Sequence, residues 1–483
     1  MKSRLLIWLF VVVFLYVYLN LFKNALIDDA FITMSYVRTI LRSGTWGFFP
    51  GHITNTATSP LNVLLLALIG SFIGLTPETP ILLALICLCL ITFMLTHISK
   101  HMFGVENLGY LAAVAFIFNP LVISTIGLES ILYATIFITA IYCYLTSRWY
   151  LLAVVLGLLT ITRADGIICF IIFLMVAPKT KLRFRFITTY LLCIAPWYIF
   201  SWIYLGSLIP DTFFIKKMQV SWNGWSFLTG GILYFQSYHL ETILSLVFLP
   251  LLLFIFNKVV RKSPIISIIA LIGFAHFLGY SLLQIPPYHW YYVPEITTII
   301  LLGSLGLGIV YQSFQLQQWQ RKVVQGILII FLLIPPLGMF HLLATKHFDI
   351  EEMPIHTNWA TYKQYKNVGL LIKKRTAGKT VLLRSGEIGT LAYYCDCYLL
   401  DPFSNRIWMK KLIDTNAVGT GIGSMVFRVN FLFFTENQEF PPYSYILTEY
   451  TDRSLSNPVG SAQQWEITSK WIAQGLITFA STK

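Results

Sequence analysis

Charged residues are scarce in this sequence. Asp, Glu, Lys and Arg make up 11% of the 483 residues, whereas 57% are hydrophobic and the mean hydropathy is +0.71. Soluble globular domains carry about 25% charged residues, so this scarcity excludes a protein that is water-soluble throughout. Long apolar runs, such as 5–19 and 81–96, instead predict a multi-spanning α-helical membrane protein.

Acidic residues are scarcer than basic ones, with 21 Asp and Glu against 34 Lys and Arg, and the formal charge is +13. In a soluble protein this excess would suggest a nucleic-acid partner. Here the basic residues stand between apolar runs, as at Lys100, Arg148 and 179–185. Such clusters mark cytoplasmic loops, so we expect membrane lipid and no nucleic acid as a partner.

Cysteines are few and lack a pattern. Five of the seven lie within apolar runs, where cysteine behaves as a small hydrophobe: Cys87, Cys89, Cys143, Cys169 and Cys193. Their spacing predicts neither a metal site nor a disulfide framework. Cys395 and Cys397 are too close for a relaxed disulfide if they lie in a strand, and the sequence leaves their state open.

The alternation of apolar runs and basic loops predicts the topology. Residues 1–4, which include Lys2 and Arg4, precede the first apolar run, and no small-residue cleavage site lies between that run and Asp28. This pattern predicts an uncleaved first span with a cytoplasmic N-terminus. Keeping the basic loops inside gives about eleven crossings. Stretch 61–73 is too short to cross and is predicted as an interfacial helix. Run 149–177 is predicted as a hairpin of two short helices turning at Arg163.

The composition changes near residue 346, where the apolar runs stop. We predict a membrane domain over 1–345, with an outer loop at 23–60, and a small α/β domain over 346–483 on the outer face. Within the latter, periodicity predicts a helix at 362–374 and strands at 380–384, near 398–400 and at 443–448, with a short helix after Gly386.

The adjacent acids Asp28 and Asp29 are the main candidates for chemistry, because they follow the first span directly. Asp28 could instead cap a helix that opens at Ala30. By the predicted topology, further polar residues reach the same outer surface: Glu129, Arg163, Asp165, Lys216, Lys217 and His289.

Acids and cations together suit a glycosyl transfer from a lipid phosphate. A carboxylate deprotonates the acceptor hydroxyl, and cations stabilise the charge on the departing phosphate. Each residue also has a structural interpretation. Glu129 could cap a helix, Arg163 and Asp165 could form a structural pair, the lysines could reach for headgroups, and His289 could belong to an aromatic belt.

Several motifs carry a family resemblance: Asp28-Asp29-Ala30-Phe31, Thr58-Ser59-Pro60-Leu61, Gly127-Leu128-Glu129, Thr162-Arg163, and Pro210 with Thr212-Phe213 and Lys216. They resemble the GT-C superfamily of membrane glycosyltransferases that use polyprenyl-phosphate sugars. The similarity is to the bacterial branch containing arabinofuranosyltransferases and relatives of the lipid A aminoarabinose transferase. Three departures are Asp165 where Glu is common after Arg-Pro, Asp211 where Asn is commoner, and His289-Trp290 where an Arg is frequent.

This resemblance implies an inverting transfer, metal-independent or weakly assisted by a divalent cation. Asp28 would be the general base, with Asp29 the alternative. Arg163 and Lys216 would bind the phosphate. Arg38 corresponds more loosely to a phosphate-binding cation of the family.

The resulting prediction is a glycosyltransferase of the bacterial inner membrane with a periplasmic C-terminal domain. Its donor would be a polyprenyl-phosphate-linked sugar, and its acceptor an envelope glycan, lipopolysaccharide or protein. A lipid-linked sugar flippase or transporter is one alternative, although it would place ionisable residues deep within spans. A non-catalytic envelope assembly protein is another.

Overall fold

The computed structural model describes residues 2–179, 181–219, 221–261, 263–313, 317–435, 440–452 and 462–482. The chain forms two compact units, each made of three separate stretches. The first unit contains Met1–Leu21, Ile81–Ile194 and Gln219–Ile350. The second unit joins the C-terminal segment Glu351–Lys483 to Phe22–Pro80 and Ala195–Met218. A domain boundary at residue 346 remains a prediction.

Most elements are helical. In chain order the α-helices are α1 (Lys2–Asn20), α2 (Asp28–Ser43), α3 (Pro60–Ile73), α4 (Glu78–Phe103), α5 (Asn107–Ile117), α6 (Pro120–Ile123), α7 (Ser130–Leu145), α8 (Trp149–Thr162), α9 (Ile167–Val176), α10 (Lys181–Ile203), α11 (Asp211–Gln219), α12 (Phe227–Ser237), α13 (His239–Ser245), α14 (Leu249–Val259), α15 (Pro264–Leu283), α16 (Val293–Ser313), α17 (Gln318–Thr345), α18 (Tyr362–Thr376), α19 (Gly389–Cys395), α20 (Ile407–Asn416) and α21 (Ile422–Asn430). Short 3-10 helices lie at Ala164–Gly166 and His289–Tyr292.

Six helical segments in the described ranges are long and apolar enough to cross a membrane: Glu78–Phe103, Lys181–Ile203, His239–Asn257, Pro264–Leu283, His289–Gln312 and Gln318–Thr345. Six further apolar segments have 10–17 residues: Trp8–Asn20, Pro60–Ile73, Asn107–Ile117, Ser130–Leu145, Trp149–Thr162 and Ala164–Val176. The multi-spanning helical class is confirmed. The count of eleven crossings and the interfacial position of α3 remain predictions.

The predicted hairpin after Arg148 is confirmed. Helices α8 and α9 are joined by the 3-10 turn at Ala164–Gly166. Gly166 packs against the preceding helix, because a Cβ added there would lie 2.8 Å from the backbone of Leu159. This tight turn fixes Arg163 at the end of α8.

The second unit contains a five-stranded sheet with the order β2-β1-β3-β5-β4. Its strands are β1 (Val381–Ser385), β2 (Leu399–Leu400), β3 (Tyr445–Tyr450), β4 (Gln463–Ile467) and β5 (Gly475–Ser481). Strand β1 pairs in parallel with β2 and β3, and β5 pairs antiparallel with β3 and β4. The predicted α/β class is confirmed, together with α18, α19 and the first three strands. Strands β4 and β5 and helices α20 and α21 were not predicted.

The sequence left the state of Cys395 and Cys397 open, and neither residue lies in a strand. Cys395 ends α19, and Asp396 has a φ of +50°, which turns the chain before Cys397. The two cysteines are joined as a disulfide with a Cα–Cα distance of 5.2 Å.

Candidate functional site

Asp28 is buried at the first position of α2 and binds the start of another helix. Its Oδ2 accepts a hydrogen bond from the backbone N–H of Gly389 at 2.7 Å, and its Oδ1 accepts one from Thr390 at 2.6 Å. These N–H groups open α19 and have no partner within that helix. A Cβ on Gly389 would lie 2.0 Å from the carbonyl oxygen of Asp28, so only glycine fits. Asp28 therefore caps a helix, although a different one from that expected.

Two further acids lie near Asp28 in the second unit: Glu449, which is buried, and Glu387, which is half-buried. The Tyr365 hydroxyl is 2.7 Å from Glu387 Oε2 and 2.9 Å from Glu449 Oε2. A phenol has one proton to donate, so a protonated carboxyl must donate in the other contact. Glu387 already accepts from Asn358 and Trp359, whereas Oε1 of Glu449 has no hydrogen-bond partner among the described residues. Glu449 is therefore the better candidate for the protonated acid.

Burial has the same effect on all of these acids. It raises the pKa of Glu449 well above its usual range, and neighbouring Glu387 raises it further. Burial also raises the pKa of Glu387, with an added contribution from Asp28. For Asp28 burial again raises the pKa, while the N–H groups of Thr390 and Gly389 oppose the shift. The group is thus a structural cluster that favours bound protons.

Asp29 faces a different environment from its neighbour. Its Oδ2 lies 3.6 Å from Nζ of Lys216 on α11, and its side chain is 29% exposed. The Lys216 side chain is 11% exposed, and Lys217 is exposed on the same helix. An accessible carboxylate beside a lysine can meet both a hydroxyl and a phosphate, so Asp29 and Lys216 form the candidate reactive pair of this unit.

Helix α11 is fixed by contacts on both sides. Arg406 donates from Nε to Asp211 Oδ2 at 2.8 Å and from NH1 to the Leu205 carbonyl at 2.5 Å. Thr212 donates to the Thr56 carbonyl at 2.6 Å. Asp211, which departs from the family motif, therefore has a charged partner that the sequence did not indicate. The salt bridge orients the helix that carries Lys216.

The contacts of Arg38 join two helices of the second unit. Its NH1 donates to the Tyr393 carbonyl at 2.6 Å and lies 3.4 Å from Asp396 Oδ1. The guanidinium also lies 5.0 Å from the centre of the Tyr393 ring. These contacts join α2 to α19, and they do not support the phosphate-binding role expected from the resemblance.

The first unit brings Glu129, Arg163 and Asp165 together. Arg163 NH2 lies 2.7 Å from Asp165 Oδ2 and donates to the Tyr280 hydroxyl at 2.6 Å. Its NH1 lies 3.5 Å from Glu129 Oε1 and has no hydrogen-bond partner among the described residues. Three rings surround the guanidinium at 5.2 to 5.8 Å: Tyr133, Tyr280 and Tyr291. Buried arginine is thus held by acids and aromatic faces.

His276 extends this network and was missed by the sequence analysis. Its Nδ1 lies 2.6 Å from Glu295 Oε1 and its Nε2 lies 3.1 Å from Asp165 Oδ2. With both carboxylates ionised, both ring nitrogens donate and the ring is an imidazolium. Ionisable residues within apolar helices mark functional or paired sites. His276 and Glu295 could have been found by that rule.

His289 is buried in an aromatic environment. Its Nε2 lies 3.4 Å from the Ser124 carbonyl, and its ring centre is 5.1 Å from that of Trp290 and 6.3 Å from that of Tyr234. These neighbours fit the aromatic interpretation of His289. A substrate contact for this residue remains a prediction.

A divalent cation was left open by the sequence. Within the described ranges, no group of three or more His, Cys, Asp or Glu residues could hold a metal ion.

The fold was compared with known proteins. No family model and no curated protein sequence matches the chain. Solved structures do. ArnT from Cupriavidus metallidurans bound to undecaprenyl phosphate has a TM-score of 0.62 at 11% identity, covering 99% of this chain and 98% of that one.

Two further matches extend the comparison. The oligosaccharyltransferase of Archaeoglobus fulgidus has a TM-score of 0.54 at 12% identity, over 92% of this chain and 69% of that one. The arabinofuranosyltransferase AftD from Mycobacteria has a TM-score of 0.50 at 13% identity, covering 97% of this chain and 40% of that one. At such identities the likeness concerns the fold. The chain therefore shares its overall fold with these three proteins, which is the fold expected from its resemblance to the GT-C superfamily.

Proposed function

We propose that this protein transfers a sugar from a polyprenyl-phosphate carrier to an acceptor of the cell envelope. The GT-C fold supports the general class, and ArnT, which shares that fold over the whole chain, binds undecaprenyl phosphate. The observation that carries the proposal is the pair formed by Asp29 and Lys216 at 3.6 Å, with Asp29 accessible. A base and a cation side by side are what glycosyl transfer from a phosphate needs.

Asp29, rather than Asp28, is the general base in this proposal. Both carboxylate oxygens of Asp28 already accept short hydrogen bonds from α19, and the residue is buried. Asp29 has its carboxylate partly exposed and only 3.6 Å from a cation that a substrate phosphate could attract. The resemblance names either acid, and the surroundings favour the second.

The reaction follows from these assignments. The acceptor hydroxyl oxygen attacks the anomeric carbon from the face opposite the phosphate, and Asp29 takes the hydroxyl proton. The bond between the anomeric carbon and the phosphate oxygen breaks, and its electron pair stays on polyprenyl phosphate. Lys216 stabilises that charge. The anomeric configuration inverts.

Arg163 stays a predicted phosphate ligand with a narrower role. Its Nε and NH2 are occupied by Asp165 and Tyr280, so only NH1 could donate to a phosphate. The acids around it outnumber the cations, since Glu129, Asp165 and Glu295 face Arg163 and His276. We therefore assign phosphate binding in this proposal to Lys216.

We place the reaction on the outer face of a bacterial inner membrane. The disulfide between Cys395 and Cys397 supports this side for the C-terminal segment, because disulfides persist in oxidising compartments and are rare in the cytosol. The acceptor is an envelope glycan, lipopolysaccharide or protein.

Release of polyprenyl phosphate tests the proposal. Purified protein in nanodiscs is incubated with a panel of polyprenyl-phosphate pentoses and hexoses and an envelope extract as acceptor. We expect release with at least one donor, and a loss of at least about 100-fold in Asp29→Asn and Lys216→Met, in line with removal of a general base or a charge-stabilising group. Lys217→Met is the matched control, because it removes the neighbouring exposed lysine, and it should keep the activity.

The alternatives give different results in the same preparations. A flippase would move the lipid-linked sugar between leaflets of a vesicle without releasing polyprenyl phosphate, and an assembly protein would do neither. Wild-type release by Asp29→Asn would overturn the assignment of the base.

A further inference from the structure

Helix α21 presents an apolar stripe to the outside. Ile422, Met425, Val426 and Val429 follow the helical spacing of three and four residues, and all four are exposed. Ile422 is 84% exposed, and the stripe continues into Leu432, which is 62% exposed. A surface of this kind on one helix is unusual for a segment surrounded by water alone.

The opposite face of the same helix is part of a packed core. Phe427 and Phe431 contact Phe214 of α11, with ring centres 4.9 and 5.3 Å apart. Ile215 and Met409 complete this cluster. Helix α21 is therefore apolar on two sides, and burial within the described chain accounts for only one of them.

The end of α21 is attached to the end of a membrane helix. The indole N–H of Trp202, next to the last residue of α10, donates to the Val429 carbonyl at 2.8 Å. The Trp202 ring also lies 5.2 Å from that of Phe433. Gly206 allows a close approach, because a Cβ there would lie 2.9 Å from the Phe433 carbonyl oxygen.

This attachment identifies what covers the stripe. Helix α10 is one of the six segments suited to crossing a membrane, and its last turns expose Ile199 and Ile203. The apolar surface at the end of α10 continues onto the stripe of α21, and such a surface at the end of a spanning helix lies at the boundary between the acyl chains and the headgroups. Arg428 on α21 donates from NH1 to the carbonyls of Ala417 and Gly419 at 2.8 Å and so ties the helix to the loop before it. A partner protein bound to the stripe would have to displace lipid at the depth where α10 ends.

We propose that the exposed stripe of α21, with Leu432 and Phe433, inserts into the bilayer interface and anchors the C-terminal segment to the membrane surface. The anchor also sets the depth of α11, because Phe427 and Phe431 pack on Phe214. Lys216 lies two residues beyond Phe214 on that helix. The lipid surface would thus fix the level of this lysine. The inference does not depend on the proposed glycosyl transfer.

Fluorescence quenching in vesicles tests the anchor. Ile422→Cys and Met425→Cys variants of the full chain, labelled with bimane, are reconstituted in phosphatidylethanolamine and phosphatidylglycerol. The vesicles are prepared with or without lipid carrying a nitroxide near the start of the acyl chain. Lys374→Cys on α18 is the control, since it is exposed on a helix of the same unit. Parent protein taken through the same labelling reaction corrects for bimane on its own cysteines.

We expect the nitroxide lipid to quench the labels at 422 and 425 at least about twofold more than the label at 374, since an interfacial helix lies about 5 to 10 Å into the headgroup boundary. Aqueous iodide should show the reverse order. Equal iodide quenching at 422 and 374, without lipid quenching, would place the stripe in water and overturn the proposal. Protection at 422 from both quenchers would indicate a protein partner and would also overturn it.

Discussion

Asp28 and Asp29 are neighbours in the sequence and yet have different environments. The Asp28 carboxylate is buried and accepts two backbone hydrogen bonds of 2.7 and 2.6 Å from the start of α19. The Asp29 carboxylate is partly exposed and faces Lys216 at 3.6 Å. One acid is therefore occupied by structural contacts, and the other is accessible beside a lysine.

Asparagine at each position should separate the two roles. Asp28→Asn removes one of the two acceptors and leaves a buried N–H group unsatisfied, which costs about 1–3 kcal/mol. We expect a lower melting temperature in Asp28→Asn, and in Asp29→Asn an unchanged melting temperature with lost transfer. Thermal unfolding in detergent and the release assay measure the two quantities. Equal melting temperatures for Asp28→Asn and wild type would contradict the capping role.

Gly389 provides an independent test of the same contact. An added Cβ would overlap the Asp28 carbonyl oxygen, so Gly389→Ala should force α2 and α19 apart and lower the melting temperature. Gly423→Ala is the matched control, because a Cβ there meets no atom within 4 Å. Alanine is favoured over glycine within a helix by about 0.5–1 kcal/mol, so the control should be neutral or slightly stabilised. Similar behaviour of both variants would argue against close packing at Gly389.

Local features of this fold were predictable from the sequence. The apolar runs indicated the spanning helices, and the polar Arg163 within run 149–177 indicated the turn of the hairpin, because hydropathy and chain reversal are short-range properties. Strand β5 could also have been found, since Gly475–Ser481 is an apolar, β-branched stretch. Strand β4, with the sequence Gln-Gln-Trp-Glu-Ile, has a weaker pattern and forms by pairing with β5.

The candidate site was only partly predictable, because its partners come from distant parts of the chain. Asp28 binds Gly389 across 361 residues, and Arg406 binds Asp211 across 195. No periodicity encodes such pairs. The sequence proposed residue types for the chemistry, whereas the contacts that bind Asp28 and Arg38 to α19 arise from tertiary packing, and the catalytic roles remain predictions.

His276 should be essential to the buried network of the first unit. His276→Leu leaves Asp165 and Glu295 without the cation between them, and breaking a buried ion pair costs about 3–5 kcal/mol. We expect a marked loss of thermal stability. The double variant His276→Leu/Glu295→Leu should be less unstable than the sum of the single variants, because it removes an unpaired charge. Strict additivity would show that the two residues are not coupled.

The buried acids of the second unit should make its stability depend on pH. Burial raises the pKa of Glu449 and Glu387, and it raises the pKa of Asp401 to about 7. The folded chain therefore holds protons on these groups at pH values where the unfolded chain has released them. Since stability rises with pH only where the unfolded state binds more protons, here it must fall. The stabilising contribution is complete below the ordinary carboxyl pKa of about 4 and is lost as the pH rises through the raised values.

Glu449→Gln should therefore reduce this pH dependence. We expect the wild-type melting temperature to fall between pH 5 and pH 8, and the fall to be smaller in the variant, because glutamine cannot release a proton. Each group with a raised pKa contributes a slope of up to about 1.4 kcal/mol per pH unit. Glu466→Gln is the matched control, since it replaces an exposed glutamate on strand β4 of the same sheet, and it should follow the wild type. If Glu449→Gln kept the full wild-type slope, Glu449 would not be the protonated partner of Tyr365, and Glu387 would have to take that place.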